Sequence, residues 1–457
     1  MSSSATATRD ILAATLPGCV TAPSDTQYAF ERDFPWSPTC WLPAACYVRP
    51  RTPDEVATVL KAIRETGSKF AIRCGGHNCN PNMSSVDGSG IVIDIRDLNS
   101  ISVDKSSGIA RIGAGSKWNQ VYTSLEENGL TAIGGRQNDV GVGGFLLGGG
   151  LGAFSNLYGL GADNIVNFEV VLADSKIVNA NSKENPDLYR ALKGGGSNFG
   201  IVTRFDIQTY EIKAHYTLNV YDPADYANIL RATVEAQEVM ETDLKYGMFV
   251  TFNPNMVVVG LFYADWVSET PTGFQPFLHL KSLVTSAVPP TNGTLKSLVD
   301  AIGPTTHLRR QVYTASTKIS YDLYVDVHKH WLEMVKKYPD AGNMFYAIQP
   351  ISATVAQAAE VRGGNTLGIE HMPQTYEAHD TAAKQGINEL GSGMTSIAKE
   401  RGQLLDFIFM NDATASQNVL ASYGAGNARR LRETATKYDP EGVFQKLQND
   451  GFLIRKM

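Results

Sequence analysis

Apolar and polar positions change their period often over the first two hundred residues. Over 52–66 (TPDEVATVLKAIRET), Val56, Val59, Leu60 and Ile63 recur at helical spacing and form one apolar stripe. Thr52 and Glu55 stand as a capping box, Pro53 takes the first helical position, and Gly67 follows the end. KFAIR, ending at Arg73, predicts a short strand, as do IVIDI at 91–95 and residues 108–113. Residues 116–127 predict a helix, FEVVLA at 168–173 and the following IVNA a strand pair, and DLYRALK after Asn185-Pro186 a further helix. IVTRFDIQTY closes this half near residue 210.

From about residue 213 glycine thins out and longer alternating strands appear, such as MFVTF and MVVVGLFYADW, with helices expected around 320–337 and 376–400. The last stretch, from 411, returns to the Gly, Asn and Pro punctuation of the first half. The pattern predicts an α+β protein: an N-terminal segment 1–34, a first domain 35–212 completed by 411–457, and a second domain 213–410 with an antiparallel sheet covered by helices.

Length and composition fit that division. A chain of 457 residues suits two domains, and 43% hydrophobic with 19% charged residues is a globular balance. The net charge of −6 argues against nucleic acid and anionic membranes as partners. No stretch approaches the roughly 20 apolar residues of a membrane span. Arg9 and Asp10 interrupt what would be a signal peptide's apolar region, so an intracellular setting is favoured. The five cysteines all fall within the first 79 residues and none makes a CxxC pair, which argues against a disulfide scaffold or zinc site. One bridge among Cys19, Cys40 and Cys46 stays open. His328-Lys329-His330 would point two imidazoles to different helix faces with no carboxylate at ligand spacing, so no metal site is expected.

Glycine distribution changes the picture most. Clusters at 75–76, 141–152 and 194–200 are separated by α/β segments, and 134–152 holds nine glycines in nineteen residues. That much glycine is expected to dissolve regular structure and let backbone N–H groups approach a ligand closely, as a dinucleotide pyrophosphate requires. Gly148–Ala153 fits GxGxxA and Glu169 stands about 20 residues on, yet no clean strand leads into it, so a Rossmann reading fails its context.

Arg73-Cys74-Gly75-Gly76-His77-Asn78 resembles the R-x-G-G-H-[SN] loop of the berberine-bridge-enzyme-like flavoproteins, members of the vanillyl-alcohol-oxidase superfamily with a PCMH-type FAD domain. The likeness continues in order through Val140-Gly-Val-Gly-Gly, Gly148-Gly-Gly-Leu-Gly, Tyr158-Gly-Leu-Gly-Ala-Asp-Asn, Asn185-Pro-Asp-Leu, Gly194-Gly-Gly-Ser-Asn-Phe-Gly, Gly363-Gly-Asn-Thr-Leu-Gly and Tyr438-Asp-Pro-Glu-Gly-Val-Phe. It covers about residues 35–457, and its wording is most similar to fungal members.

The resemblance implies FAD bonded through its 8α-methyl to His77. It implies cofactor contacts at Arg73, Cys74, Gly75, Gly76 and Asn78, at Gln137, Val140, Gly141, Gly143, Gly144, Gly148, Gly149 and Gly150, at Gly200, Ile201 and Val202, and at Asn427. Many members make a second flavin bond through a cysteine three residues before the valine of V-G-V-G-G; that position is Gln137 here, and no cysteine follows Cys79, so no cysteinyl link is expected. The family's oxygen gatekeeper position holds Val140, small enough to admit dioxygen, which favours an oxidase. Where members often place a base tyrosine, in Y-x-N-Y, this chain has Phe409-Met410-Asn411-Asp412, making Asp412 the candidate base and Tyr423 the second candidate. An aspartate against flavin and an apolar substrate would accept a proton near neutral pH; as an alternative, Asp412 merely caps a turn. The implied reaction is hydride transfer from an apolar secondary metabolite to flavin, then to dioxygen, giving hydrogen peroxide. A flavin-containing cyclase and a non-catalytic flavin- or ligand-binding protein stand as alternatives. Oligomeric state is not legible in the chain.

Overall fold

The computed structural model describes residues 3–211, 213–303, 307–381 and 384–457. Helix Ser4–Thr15 packs on helix Pro53–Thr66, with Thr8 Oγ1 2.6 Å from Thr66 Oγ1. Helix Pro53–Thr66 forms as its stripe predicts, with Val56, Val59, Leu60 and Ile63 buried and Gly67 at φ +67°. Only half of the capping box closes. Thr52 Oγ1 accepts from Glu55 N (3.2 Å), while the Glu55 carboxylate reaches past the cap to Arg51 N–H (2.6 Å).

Three sheets follow from the strand runs. The first orders Val20–Thr21, Cys46–Val48, Gly90–Asp94 and Lys69–Arg73, the last three parallel. The second is wholly antiparallel: Ile101–Asp104, Ile109–Gly113, Ile201–Gln208, Ile165–Val171 and Ile177–Asn181. The C-terminal stretch closes on the first sheet, where Phe70 N donates to Leu447 O and Asn449 N donates to Phe70 O.

The third sheet is antiparallel throughout: Leu283–Gly293, Ala214–Tyr221, Met256–Tyr263, Tyr246–Asn253, Phe345–Ile351, Gln374–Thr381, Gln311–Lys318 and Leu404–Leu405. Helix Tyr321–Lys337 lies between Tyr226–Thr242 and Lys384–Glu400 on one face. The strand period of two sorts side chains between the faces. Met248, Val250, Phe252, Tyr346 and Ile348 join Leu230, Tyr324 and Trp331 of the helices in one core. Their alternates Phe249, Thr251, Phe345, Ala347 and Gln349 face a cavity on the other side. Among the described residues, no helix is long and apolar enough to cross a membrane.

Two local expectations are corrected. Residues 374–381, the front of the helix expected over 376–400, form a strand, and the helix begins at Lys384. Pairing with both Phe345–Ile351 and Gln311–Lys318 outweighs local helical preference there. Glycine does not dissolve all of 134–152 either: Val142–Leu147 is helical, because Val142 and Leu146, one turn apart, bury on the same side.

Candidate active site

A cavity of about 570 Å³ runs between the first two sheets, the glycine-rich segment and the open face of the third sheet. That volume lies within the range of ligand and cofactor sites. Its lining brings together Cys74, Gly75, Gly76, His77 and Asn78; Gln137, Val140, Gly141, Gly143, Gly144 and Gly148; Gly200, Ile201 and Val202; and Asp412. Segments more than three hundred residues apart thus meet at one site.

The His77 loop is positioned from behind and below. Arg73, 1% exposed, ends the strand Lys69–Arg73 and pairs with Asp94 (2.6 Å) and Glu31 (3.3 Å), so it anchors the loop and stays out of the cavity lining. Gly75 and Gly141 touch backbone to backbone; a Cβ on Gly75 would stand 2.5 Å from the Gly141 Cα. Cys74 Sγ donates to Ala114 O (2.8 Å), and burial pushes the thiol up to about 11. The His77 ring stacks on Trp36 at 4.8 Å and 10°, and its Nε2 lies 3.2 Å from Asp139 Oδ2. Asn80 ties this loop to the far end of the chain, donating to Ala413 O (2.9 Å) and accepting from Ala415 N (2.8 Å). The cysteines are free thiols, with Cys40 Sγ donating to Asn78 O.

Asp412 closes a short 3-10 turn, Met410–Asp412. Asn411 fastens that turn to the glycine-rich segment: it donates to Gly144 O (3.0 Å) and accepts from Gly150 N (3.1 Å). Gly148 permits the approach, since a Cβ there would fall 2.4 Å from Asn411 Nδ2. Gly149 and Gly150 adopt φ +113° and +74°, which glycine tolerates, and support this turn from outside the cavity lining. Burial, and after it the charge of the Asp412 carboxylate, raises the Tyr376 phenol well above its usual range.

Two residues named from the sequence lie elsewhere. Tyr423 is buried beside Phe407, outside the cavity lining, and burial raises its phenol far above the usual range. Asn427 donates to Tyr423 O (3.0 Å) on the helix Ala425–Tyr438. His328 is hydrogen-bonded through Nδ1 to Tyr346 Oη (2.8 Å) in the helix-covered core. Glu169 pairs with Arg204 across the second sheet. The sequence reading missed Arg136, Gln349 and Tyr376, which join Asp412 in the cavity. A polar residue interrupting a strand's apolar face, as Gln349 does in FYAIQPI, was the available signal.

The residues present fit FAD. Backbone rather than side chains floors the cavity at Gly75, Gly141 and Gly144, and a Cβ on Gly144 would enter open space. Residues 44–181 match the FAD binding domain family model. The chain is 35% identical to the FAD-dependent monooxygenase macF of Penicillium terrestre over 92% of its own length and 84% of the relative. It is 31% identical to the bifunctional solanapyrone synthase of Alternaria solani over 90% and 81%. The solved BBE-like 1 of Physcomitrella patens superimposes with a TM-score of 0.82 over 97% of this chain and 99% of that one, at 18% identity, a likeness of fold. The chain belongs to the family of the fungal FAD-dependent monooxygenases and is an FAD-binding oxidoreductase, with the fold of the berberine-bridge-enzyme-like proteins.

Proposed function

We propose that this oxidoreductase is an oxidase of an apolar secondary-metabolite substrate, with FAD bonded to His77. The observation carrying the proposal is that His77, the glycine floor, Asp412 and Tyr376 all line one cavity. FAD held there supplies a hydride acceptor that returns its electrons to dioxygen as hydrogen peroxide.

The chain's own residues do the rest. The glycine segments let backbone amides reach the cofactor's phosphates without side-chain interference. Trp36 and Asp139 hold the His77 ring in one orientation, which favours attachment. Gln137 stands where a second tether would start and offers no thiol, supporting a single link. Val140 lines the cavity wall, and the small size of its side chain supports access for dioxygen. Asp412 receives the substrate's proton, and Tyr376 fixes its carboxylate. The first domain with 411–457 would then hold the cofactor and 213–410 the substrate.

A second reading has one observation in its favour. A relative is named a bifunctional synthase, which supports a cyclase working in the same cavity, with or without net oxidation. The relatives' name of monooxygenase describes a third fate for dioxygen, insertion into the product.

Two measurements test the proposal. Flavin fluorescence should stay with the wild-type polypeptide after acid precipitation and leave it in His77→Ala; free FAD in the wild-type supernatant rejects the bond. Turnover should yield one peroxide per substrate oxidised. Labelled dioxygen appearing in the product, or turnover without peroxide, rejects the oxidase.

A further inference from the structure

The cavity holds a cation that no carboxylate answers among the described residues. Arg136 precedes Gln137, and its side chain meets the third sheet across the cavity. Its Nη2 donates to Gln349 Oε1 (2.7 Å), its guanidinium carbon lies 5.4 Å from the centre of the Phe249 ring, and it stands close enough to the Tyr376 phenol to act on its ionisation. Gln349, Phe249 and Tyr376 all line the same cavity. Among the described residues, no carboxylate comes within ion-pair distance of Arg136. Nearby guanidiniums are treated differently: Arg73 and Arg96 are each paired with both Asp94 and Glu31.

The surroundings make this consequential. A guanidinium offers five N–H donors in a planar fork, and a neutral amide and a phenol leave part of that fork facing the cavity. The walls there include Phe345, Phe409 and Val312. A purely hydrocarbon substrate filling the space would strip water from the cation and return nothing, which is costly. A substrate carrying its own planar oxyanion would replace that water with a charge-assisted, two-pronged contact.

We infer that Arg136 anchors the substrate by an acidic oxygen: a carboxylate, phenolate or enolate borne on an apolar ring or chain. Tyr376 feels both Arg136 and Asp412, and all three line the cavity, so the site has a cationic end and a carboxylate end with one phenol under the influence of both. The oxyanion of the substrate goes to Arg136, the substrate's proton is left for Asp412, and the hydride leaves from the adjacent carbon for the hydride acceptor. A substrate bound the other way round would set oxyanion against carboxylate. The pair therefore selects an acidic substrate and gives it a single orientation. This inference deepens the proposed function and rests on it for the position of the flavin.

Cinnamate and its uncharged isostere cinnamamide test the anchor. Binding to the holoenzyme is read by calorimetry and by the change in flavin absorbance. Wild type should favour cinnamate by about tenfold or more, the scale of one charge-assisted contact. Arg136→Gln should bind both alike, and Arg136→Lys, which keeps charge but not the fork, should retain part of the preference. Flavin content, read on the same samples, should be equal in all three proteins. Wild type that fails to favour cinnamate, by binding both alike or neither, overturns the anchor, as does an unchanged preference in Arg136→Gln. A protein that discriminates but holds no bonded flavin overturns the reading of His77 instead.

Discussion

At Asp412 one carboxylate stands open to two roles, proton acceptor and turn cap. A turn cap spends its oxygens on backbone N–H groups of its own turn, while a base must face the cavity that Asp412 lines and act on groups such as the Tyr376 phenol. We expect Asp412→Asn to fold and hold flavin normally, yet to slow flavin reduction by at least about 100-fold. The rate–pH profile should lose its acidic limb as well. Stopped-flow reduction at wild-type speed in the Asn variant would remove Asp412 from the chemistry. That His77 would lie at the cavity was legible from the dense glycine context around it, while the places of Arg136 and Tyr376 were not. Nothing local marks an arginine in a polar loop or a tyrosine on a strand as facing a cavity. Their placement depends on which sheet face the rest of the chain leaves open.

Among the elements, the glycine-rich segment shows best how local reading and packing divide the work. Its composition announced close approach, and the Gly75–Gly141 and Gly148–Asn411 contacts supply it. The helix Val142–Leu147 went unread because two buried residues outweigh the helix-weakening glycines between them. Several family motifs turn out to be clasps rather than cavity walls: Asp163 of Gly-Ala-Asp-Asn accepts from Asn365 of Gly-Gly-Asn-Thr (2.9 Å), and Thr366 bonds Lys193 O. The Asn411 clasp can be tested. Gly148→Ala should displace the Asn411 amide and release the turn bearing Asp412, at about 1–3 kcal/mol of stability. A lower melting temperature should accompany slower flavin reduction with flavin still attached. Wild-type values for both would show that the turn holds without Asn411.

For the molecule as a whole, the fold class was legible while the site's depth was not, since the cavity is made by bringing three sheets together. The same assembly sets a weak point in acid. His328 is buried between the third sheet and its helices, stacked on Tyr226 at 4.2 Å, and burial pulls its imidazole down to about 4. Above its ordinary value of about 6.5 both folded and unfolded chains hold it neutral. As the pH falls from there toward 4, only the unfolded chain gains the proton, so stability declines, by about 3 kcal/mol at most. Urea midpoints at pH values above and below that window should drop less in His328→Gln than in wild type. An equally steep drop would assign the acid limb to other groups.

The strand Phe345–Ile351 carries a longer consequence. Tyr346 and Ile348 serve the packed layer, while Phe345, Ala347 and Gln349 shape what the cavity accepts. Mutations at alternate codons therefore fall under different selective pressures, and half of the strand can drift in search of new molecules while the other half is conserved. A lineage built on this sheet could diversify its chemistry without putting its fold at risk, and in a set of its descendants variation along the strand should rise and fall with every second residue.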